Sequence, residues 1–362
     1  MNGVFIVPTG IEAEIGGHAG DATPAAKMVA SVCDKLILHP NVVNASDVNE
    51  MANNSLYVEG SMLDRFLEGE IDLKECRTSN TVLVVVNPPV EGESINAVSS
   101  GRVTIGLDAE ILELKTPLQM IATLEDGVAS GNVLGWKELV EQVKEYGTKY
   151  NFDVLAIHTP IDVSKERAIH YFKNGGVNPW GGVEAKTTRL ISAALGKPAA
   201  HAPIHMQDPD PELDTIYQEV VDPRIAPEVI SICYLHCVLK GLHRAPTMTE
   251  PGKGFSIDDI DFMVSPYGCW GRPHKACTEK KIPVIVVKEN KTCLNDEIPK
   301  SAIVVENYWE AMGVITAMKA GVDWTSVRRP LIETQVTCDE ALPENKPLDK
   351  ASKRKSEDVK PI

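Results

Sequence analysis

The sequence predicts an α/β protein with one or two Rossmann-like, mostly parallel sheets and helices on both faces; two α/β lobes are one such arrangement. Three observations predict it. Apolar runs of strand length alternate with stretches of helix length along the chain. Several runs are almost wholly apolar, as 81–86 is with five apolar residues in six, the pattern of a strand covered on both sides. Glycine-rich segments at 16–20, 175–182 and 268–271 fall between an apolar run and the next helix.

The elements follow in order. A strand at 4–8 leads through the first glycine segment to a helix at 24–34 and a strand at 36–39. The polar stretch 40–54 reads as loop, and 56–67 holds a short strand and a helix. The strand 81–86 is stopped by Asn87-Pro88-Pro89, because proline cannot continue a ladder. Segment 110–135 is ambiguous between short strands and turns. In 136–150 Leu139, Val140, Val143 and Tyr146 fall at helical spacing among charges. A buried strand at 152–158 and a helix at 164–173 come next. After the second glycine segment, the helix 183–195 closes at Gly196 with Pro198 beyond. A short strand spans 199–204, 209–227 is an acidic, proline-rich surface excursion, and 228–242 fits a buried helix or two strands. Strands at 261–265, 282–287 and 302–305 alternate with helices at 274–281 and 309–320. The expected division is an N-terminal lobe at 1–160, a C-terminal lobe at 161–333 and a disordered polar tail at 334–362.

Composition bounds the function. With 362 residues, 43% hydrophobic and 24% charged, the chain is an ordinary soluble globular protein. No apolar run reaches the length of a membrane span, and the first residues lack the basic and apolar regions of a signal peptide. These features predict a cytoplasmic protein with no membrane partner. The net charge of −15 argues against nucleic acid. Eight scattered cysteines with no C-x-x-C pair read as reduced, buried thiols.

The chemistry-bearing residues cluster at the glycine segments. Gly16, Gly17 and Gly20 let a backbone approach a ligand, and a helix starting near Thr23 would point free N–H groups at an anion. The order is neither G-x-G-x-x-G nor a P-loop, so dinucleotide and ATP binding are disfavoured. His18 and Asp21 can move protons or hold a metal, and His39, at the end of the second strand, lies next to that loop if the unit is βαβ. Asn41 and Asn44 follow it as polar hooks or turn residues. Gly175, Gly176, Asn178, Gly181 and Gly182 form the second loop, with Trp180 as a flat apolar face. Cys269 sits between a strand and a helix, where the dipole would lower its pKa, and is the cysteine to test as nucleophile. Lys288, Glu289 and Asn290 end a buried strand, where lysine could neutralise an anion and glutamate exchange protons. His201 and His205, with Asp208 near, have a metal-like spacing, but Pro203 between them rules out a regular helix.

Segments 16–24, 39–47, 57–66, 175–185, 265–271 and 287–290 together resemble an uncharacterised bacterial and plastid family of unknown function. The resemblance spans roughly residues 1–330 and implies one compact unit, with no reaction and no catalytic residues to carry over.

The expectation is therefore a cytosolic enzyme using acid–base chemistry (lyase, isomerase or hydrolase) on a small anionic metabolite. His18, Asp21, His39, Lys288, Glu289 and Cys269 are its catalytic candidates. Gly16, Gly17, Gly20, Thr23, Asn41, Asn44, Gly175, Gly176, Asn178, Gly181, Gly182 and Asn290 are its substrate-binding candidates. No cofactor is assigned, and a homo-oligomer is left open. The alternatives are a metal-dependent hydrolase using His18, Asp21, His39 and His201, a non-catalytic binding or scaffold protein, and, more weakly, a nucleotide-dependent oxidoreductase.

Overall fold

The computed structural model describes residues 1–17, 21–43, 45–125, 127–204, 219–231 and 233–336. His18, Gly20, Asn44, His205, Asp208, most of the acidic excursion and the tail from 337 onward lie outside them. The fold is mixed α/β, with parallel and mixed sheets and helices on both faces.

The first sheet takes strands from both ends of the chain. Its members are β1 (Asn2–Phe5), β2 (Lys35–Leu38), β3 (Ser55–Tyr57), β13 (Phe262–Tyr267), β14 (Val284–Lys291) and β15 (Ile303–Val305). They lie in the order β15-β14-β13-β1-β2-β3, every pair parallel. Side-chain alternation sorts its faces. Phe5, Val7, Leu36 and Leu38 pack under α1 (Thr23–Ala30) and Tyr308, Ala311, Val314 and Ile315 of a helix near the C-terminal end. Val4, Ile6 and Ile37 pack under α2 (Gly60–Leu67) on the other face, together with Ala276 and Cys277. Pro266 has no N–H for the ladder, and the register of β13 against β14 slips between Pro266 and Tyr267, so that Tyr267 pairs with Lys291.

The second sheet is built from the chain between these halves. β5 (Thr81–Val86), β6 (Asp108–Glu113), β9 (Val154–Thr159) and β11 (Ala199–Pro203) are parallel in the order β11-β9-β5-β6. Val82, Val84 and Val86 face α3 (Gly92–Ile105) and the apolar residues of a helix at Tyr234–Arg244. Leu83 and Val85 face α4 (Trp136–Gly147) and α6 (Gly181–Leu195); α5 (Lys165–Asn174) lies between these two helices in sequence. The ambiguous segment resolves as β6 followed by an antiparallel hairpin, β7 (Gln119–Glu125) and β8 (Val128–Leu134), with β10 (Ile161–Asp162) alongside β7. A two-stranded ribbon pairs β4 (Asp72–Lys74) with β12 (Thr247–Thr249).

The remaining helices are α7 (Ala226–Ile230), α8 (the Tyr234–Arg244 helix), α9 (Arg272–Glu279) and α10 (Tyr308–Lys319). Segment 228–242 therefore contributes the end of α7 and most of α8. A division at 160/161 would separate β9 from β11 and β1 from β13, which are hydrogen-bonded neighbours. Among the described residues no helix is long and apolar enough to cross a membrane.

Candidate functional site

A cavity of about 540 Å³ opens where the carboxyl ends of β1, β2 and β3 meet α6 and β11. Crevices at the carboxyl edge of parallel sheets are the usual ligand sites of α/β proteins. The first sheet contributes Pro8 and Thr9 after β1, His39 to Asn41 after β2, and Tyr57 and Glu59 at β3, with Gly60, Ser61 and Asp64 following on α2. The second contributes Gly181, Glu184, Lys186, Thr188 and Arg189 from α6 and His201 from β11. The start of α9, including Arg272 and His274, closes one wall.

His39 is the best-placed proton carrier. Its Nδ1 accepts the Asn41 backbone N–H at 3.1 Å. That donor assigns the ring hydrogen to Nε2, which has no hydrogen-bond partner among the described residues. Burial lowers its pKa to about 4, so the ring is neutral at pH 7 and offers an N–H to the cavity. A Cβ at Gly60 would lie 2.8 Å from Nε2, so the glycine leaves the room this nitrogen occupies. Asn41 in turn donates from Nδ2 to Thr9 Oγ1 at 3.1 Å.

A second proton-handling pair stands on the other sheet. His201 Nε2 lies 3.0 Å from the Thr159 carbonyl oxygen, which can only accept, so that nitrogen carries a hydrogen. Its Nδ1 lies 2.8 Å from Glu184 Oε1. An imidazole nitrogen and a carboxylate oxygen at that distance need a hydrogen between them. The His201 side chain is 0% exposed and that of Glu184 27%, so the carboxylate is the part the cavity reaches.

Other charges at the cavity are held by protein groups. Glu59 caps α2, accepting the Ser61 N–H at 2.9 Å, the Ser61 hydroxyl at 2.6 Å and the Met62 N–H at 3.2 Å. Burial pushes its carboxyl pKa up while those donors pull it back. Lys186 donates to the Gly131 carbonyl at 2.6 Å, and Arg272 grips Glu68 with two nitrogens at 2.7 and 2.5 Å. His274 accepts the Gly271 N–H on Nδ1 at 3.1 Å and donates from Nε2 to Ser265 Oγ at 2.6 Å, so its ring is wall rather than reactant.

Of the residues expected from sequence, the structure brings His39, Asn41 and Gly181 to this cavity, along with His201. The other described candidates lie elsewhere. Asp21 accepts the Gly16 N–H at 2.8 Å, and Thr23 begins α1, whose cap residue is Ala22. Gly16 and Gly17 make room for the loop itself: added Cβ atoms would lie 2.8 Å from the Asn41 carbonyl and 2.2 Å from the Ala13 carbonyl. Asn290 is buried, accepts the Ile15 N–H at 2.9 Å and donates to the Ile15 carbonyl and the Tyr308 hydroxyl, both at 2.7 Å. It pins the glycine loop.

Gly175 and Gly176 turn the chain after α5 with φ of 72° and 97°. Asn178 Oδ1 accepts the N–H groups of Trp180 and Gly181, and Gly182 meets the backbone of β8. Lys288 and Glu289 extend β14 at the surface, Lys288 bound to Glu306 at 2.5 Å and Glu289 accepting the Tyr308 N–H at 3.2 Å. Cys269 corrects the expectation of a lowered pKa. It is 2% exposed, and burial, which outweighs the Ser265 hydroxyl contact, pushes the thiol up to about 11.

Sequence reasoning missed Glu59, Asp64, Glu184 and Arg189. Glu59-Gly60-Ser61 after a strand is a helix-start pattern that could have flagged the first. The pairing of Glu184 with His201 has no sequence signal.

A family described as a protein of unknown function, DUF3326, matches residues 2–328, and the chain belongs to it. It is an uncharacterised family with no assigned catalytic function, as the resemblance implied. An uncharacterized lipoprotein of Synechococcus sp. is 30% identical over 339 residues, covering 89% of this chain and 92% of that protein. This relative corrects the expectation of a cytoplasmic protein with no membrane partner. That expectation rested on the lack of an apolar span and of a signal-peptide pattern, and a lipid anchor requires no span.

Proposed function

We propose that the cavity is the active site of an enzyme that moves protons on a small metabolite carrying an anionic group, in an elimination, isomerisation or hydrolysis. The observation that carries this is the open Nε2–H of a neutral His39, facing the same cavity as the Glu184–His201 pair. One group is poised to donate a proton and the other to exchange one, and they come from different sheets. The order of the first sheet, three strands to each side of the reversal between β1 and β13, supports a Rossmann-like reading of it. We read the second sheet as another α/β lobe inserted into it, with the cavity between the two. The metal-dependent alternative has less support, because Asp21 is turned to Gly16 and does not line the cavity with His39 and His201.

The test is carbon-bound hydrogen exchange in heavy water, followed by NMR over a panel of small carboxylic acids and phosphate esters. The wild-type chain should exchange or convert at least one of them, and His39→Gln and Glu184→Gln should each slow it ~100-fold with the fold intact. A compound bound but never exchanged or converted would make this a binding protein instead. Full activity in the His39 variant would end the reading.

A further inference from the structure

Two charged side chains on the cavity wall have no hydrogen-bonding or ion-pairing partner among the described residues. Asp64, on α2, lines the cavity, and among the described residues its carboxylate has no hydrogen bond or ion pair, the Arg272 and Arg189 charges acting on it only from a distance. Arg189, an exposed residue of α6, lines it from the other side, and among the described residues it likewise makes neither. Each remaining charged wall residue is engaged: Glu59 by Ser61 and Met62, Glu184 by His201, Lys186 by Gly131 and Arg272 by Glu68. Burial pushes the Asp64 carboxyl up, with Glu68 adding to it, while Arg272 and Arg189 pull it down.

The positions of the two are equally informative. Asp64 follows Gly60 by four residues, so it stands one helical turn along α2 from the glycine beside His39 Nε2. Arg189 follows Ala185 by four, one turn along α6 from the residue next to Glu184, and all of these line the cavity. An unspent carboxylate therefore lies beyond one proton-handling group, and an unspent guanidinium beyond the other. A half-buried carboxylate without donors is stabilised by a ligand ammonium, and a guanidinium fork matches a ligand carboxylate.

We infer that the cavity takes a small zwitterion of the free amino acid class, its ammonium against Asp64 and its carboxylate against Arg189. This rests on the cavity being the working site proposed above. About 540 Å³ is room for a single small metabolite.

Isothermal titration of the full chain with each of the common free amino acids tests it, followed by the N-acetyl and C-terminal amide forms of the best binder. At least one amino acid should bind, and acetylation or amidation should each weaken it by tenfold or more. Asp64→Asn should erase the penalty for acetylation, and Arg189→Gln the penalty for amidation; circular dichroism confirms that both variants fold. No binding by any amino acid, equal binding of the blocked forms, or wild-type selectivity in the variants overturns the inference. If amino acids fail while His39-dependent exchange on another acid persists, only the zwitterion falls and the active site stands. If both fail, the cavity reading falls with it.

Discussion

At the scale of single residues, the site depends on small spaces left for polar atoms. Gly60→Ala places a methyl group only 2.8 Å from His39 Nε2, while the Asn41 N–H holds the other side of the ring. We expect turnover or ligand affinity to fall roughly 10- to 100-fold, since displacement by an ångström has that effect on positioned groups. The melting temperature should change little, which separates the effect from unfolding. His39 was legible in sequence because a histidine ending an apolar strand stands out. Glu184 and His201 were not legible as a pair, because 17 residues separate them and only the placing of α6 beside β11 brings them to 2.8 Å. Asp21 and Lys288 have residue types that suit catalysis, and the structure places them off this cavity, Asp21 accepting the Gly16 N–H and Lys288 paired with Glu306.

At the scale of elements, Gly16, Gly17, Gly182 and Asn290 hold neighbouring stretches of backbone in place. A Cβ on Gly182 would lie 2.2 Å from the carbonyl carbon and oxygen of Ala129, so Gly182→Ala must part α6 from β8. Overpacking of this kind costs about 1–3 kcal/mol. Because α6 carries Glu184 and Arg189, urea unfolding and ligand titration should both report the change. Asn290→Ala removes three hydrogen bonds and leaves both backbone groups of Ile15 without their partner. A loss of about 3 kcal/mol is expected from unsatisfied buried groups. Any remaining folded protein should keep its ligand selectivity, because Asn290 is not on the cavity wall. The buried strands were legible because five or six consecutive apolar residues have few other uses. The hairpin β7–β8 was not, since its strands mix small, polar and apolar residues without a clean period.

At the scale of the whole molecule, acid should loosen the fold through its neutral histidines. Burial holds His39 and His274 at pKa values of about 4, whereas an unfolded chain protonates its histidines near 6.5. Below about pH 6.5 the unfolded state therefore binds more protons, and stability falls as pH drops toward 4. The raised carboxyls of Glu59 and Asp64 act in the opposite sense, taking up protons in the folded state first. Urea unfolding at stepped pH should show the loss, and His274→Gln should flatten the slope by up to about 1.4 kcal/mol per pH unit, the share of one proton. The alternation of strands and helices told the α/β class but not which strands are neighbours, because β1 and β13 carry no mark of their pairing. That pairing bears on how the protein is made. Synthesis delivers β1 to β3 first, yet the partner of β1 on its other side begins at Phe262, after the whole second sheet has left the ribosome. The early strands keep one open edge until β13 is made, so the cavity is completed only once the start of α9, which forms one of its walls, has been synthesised.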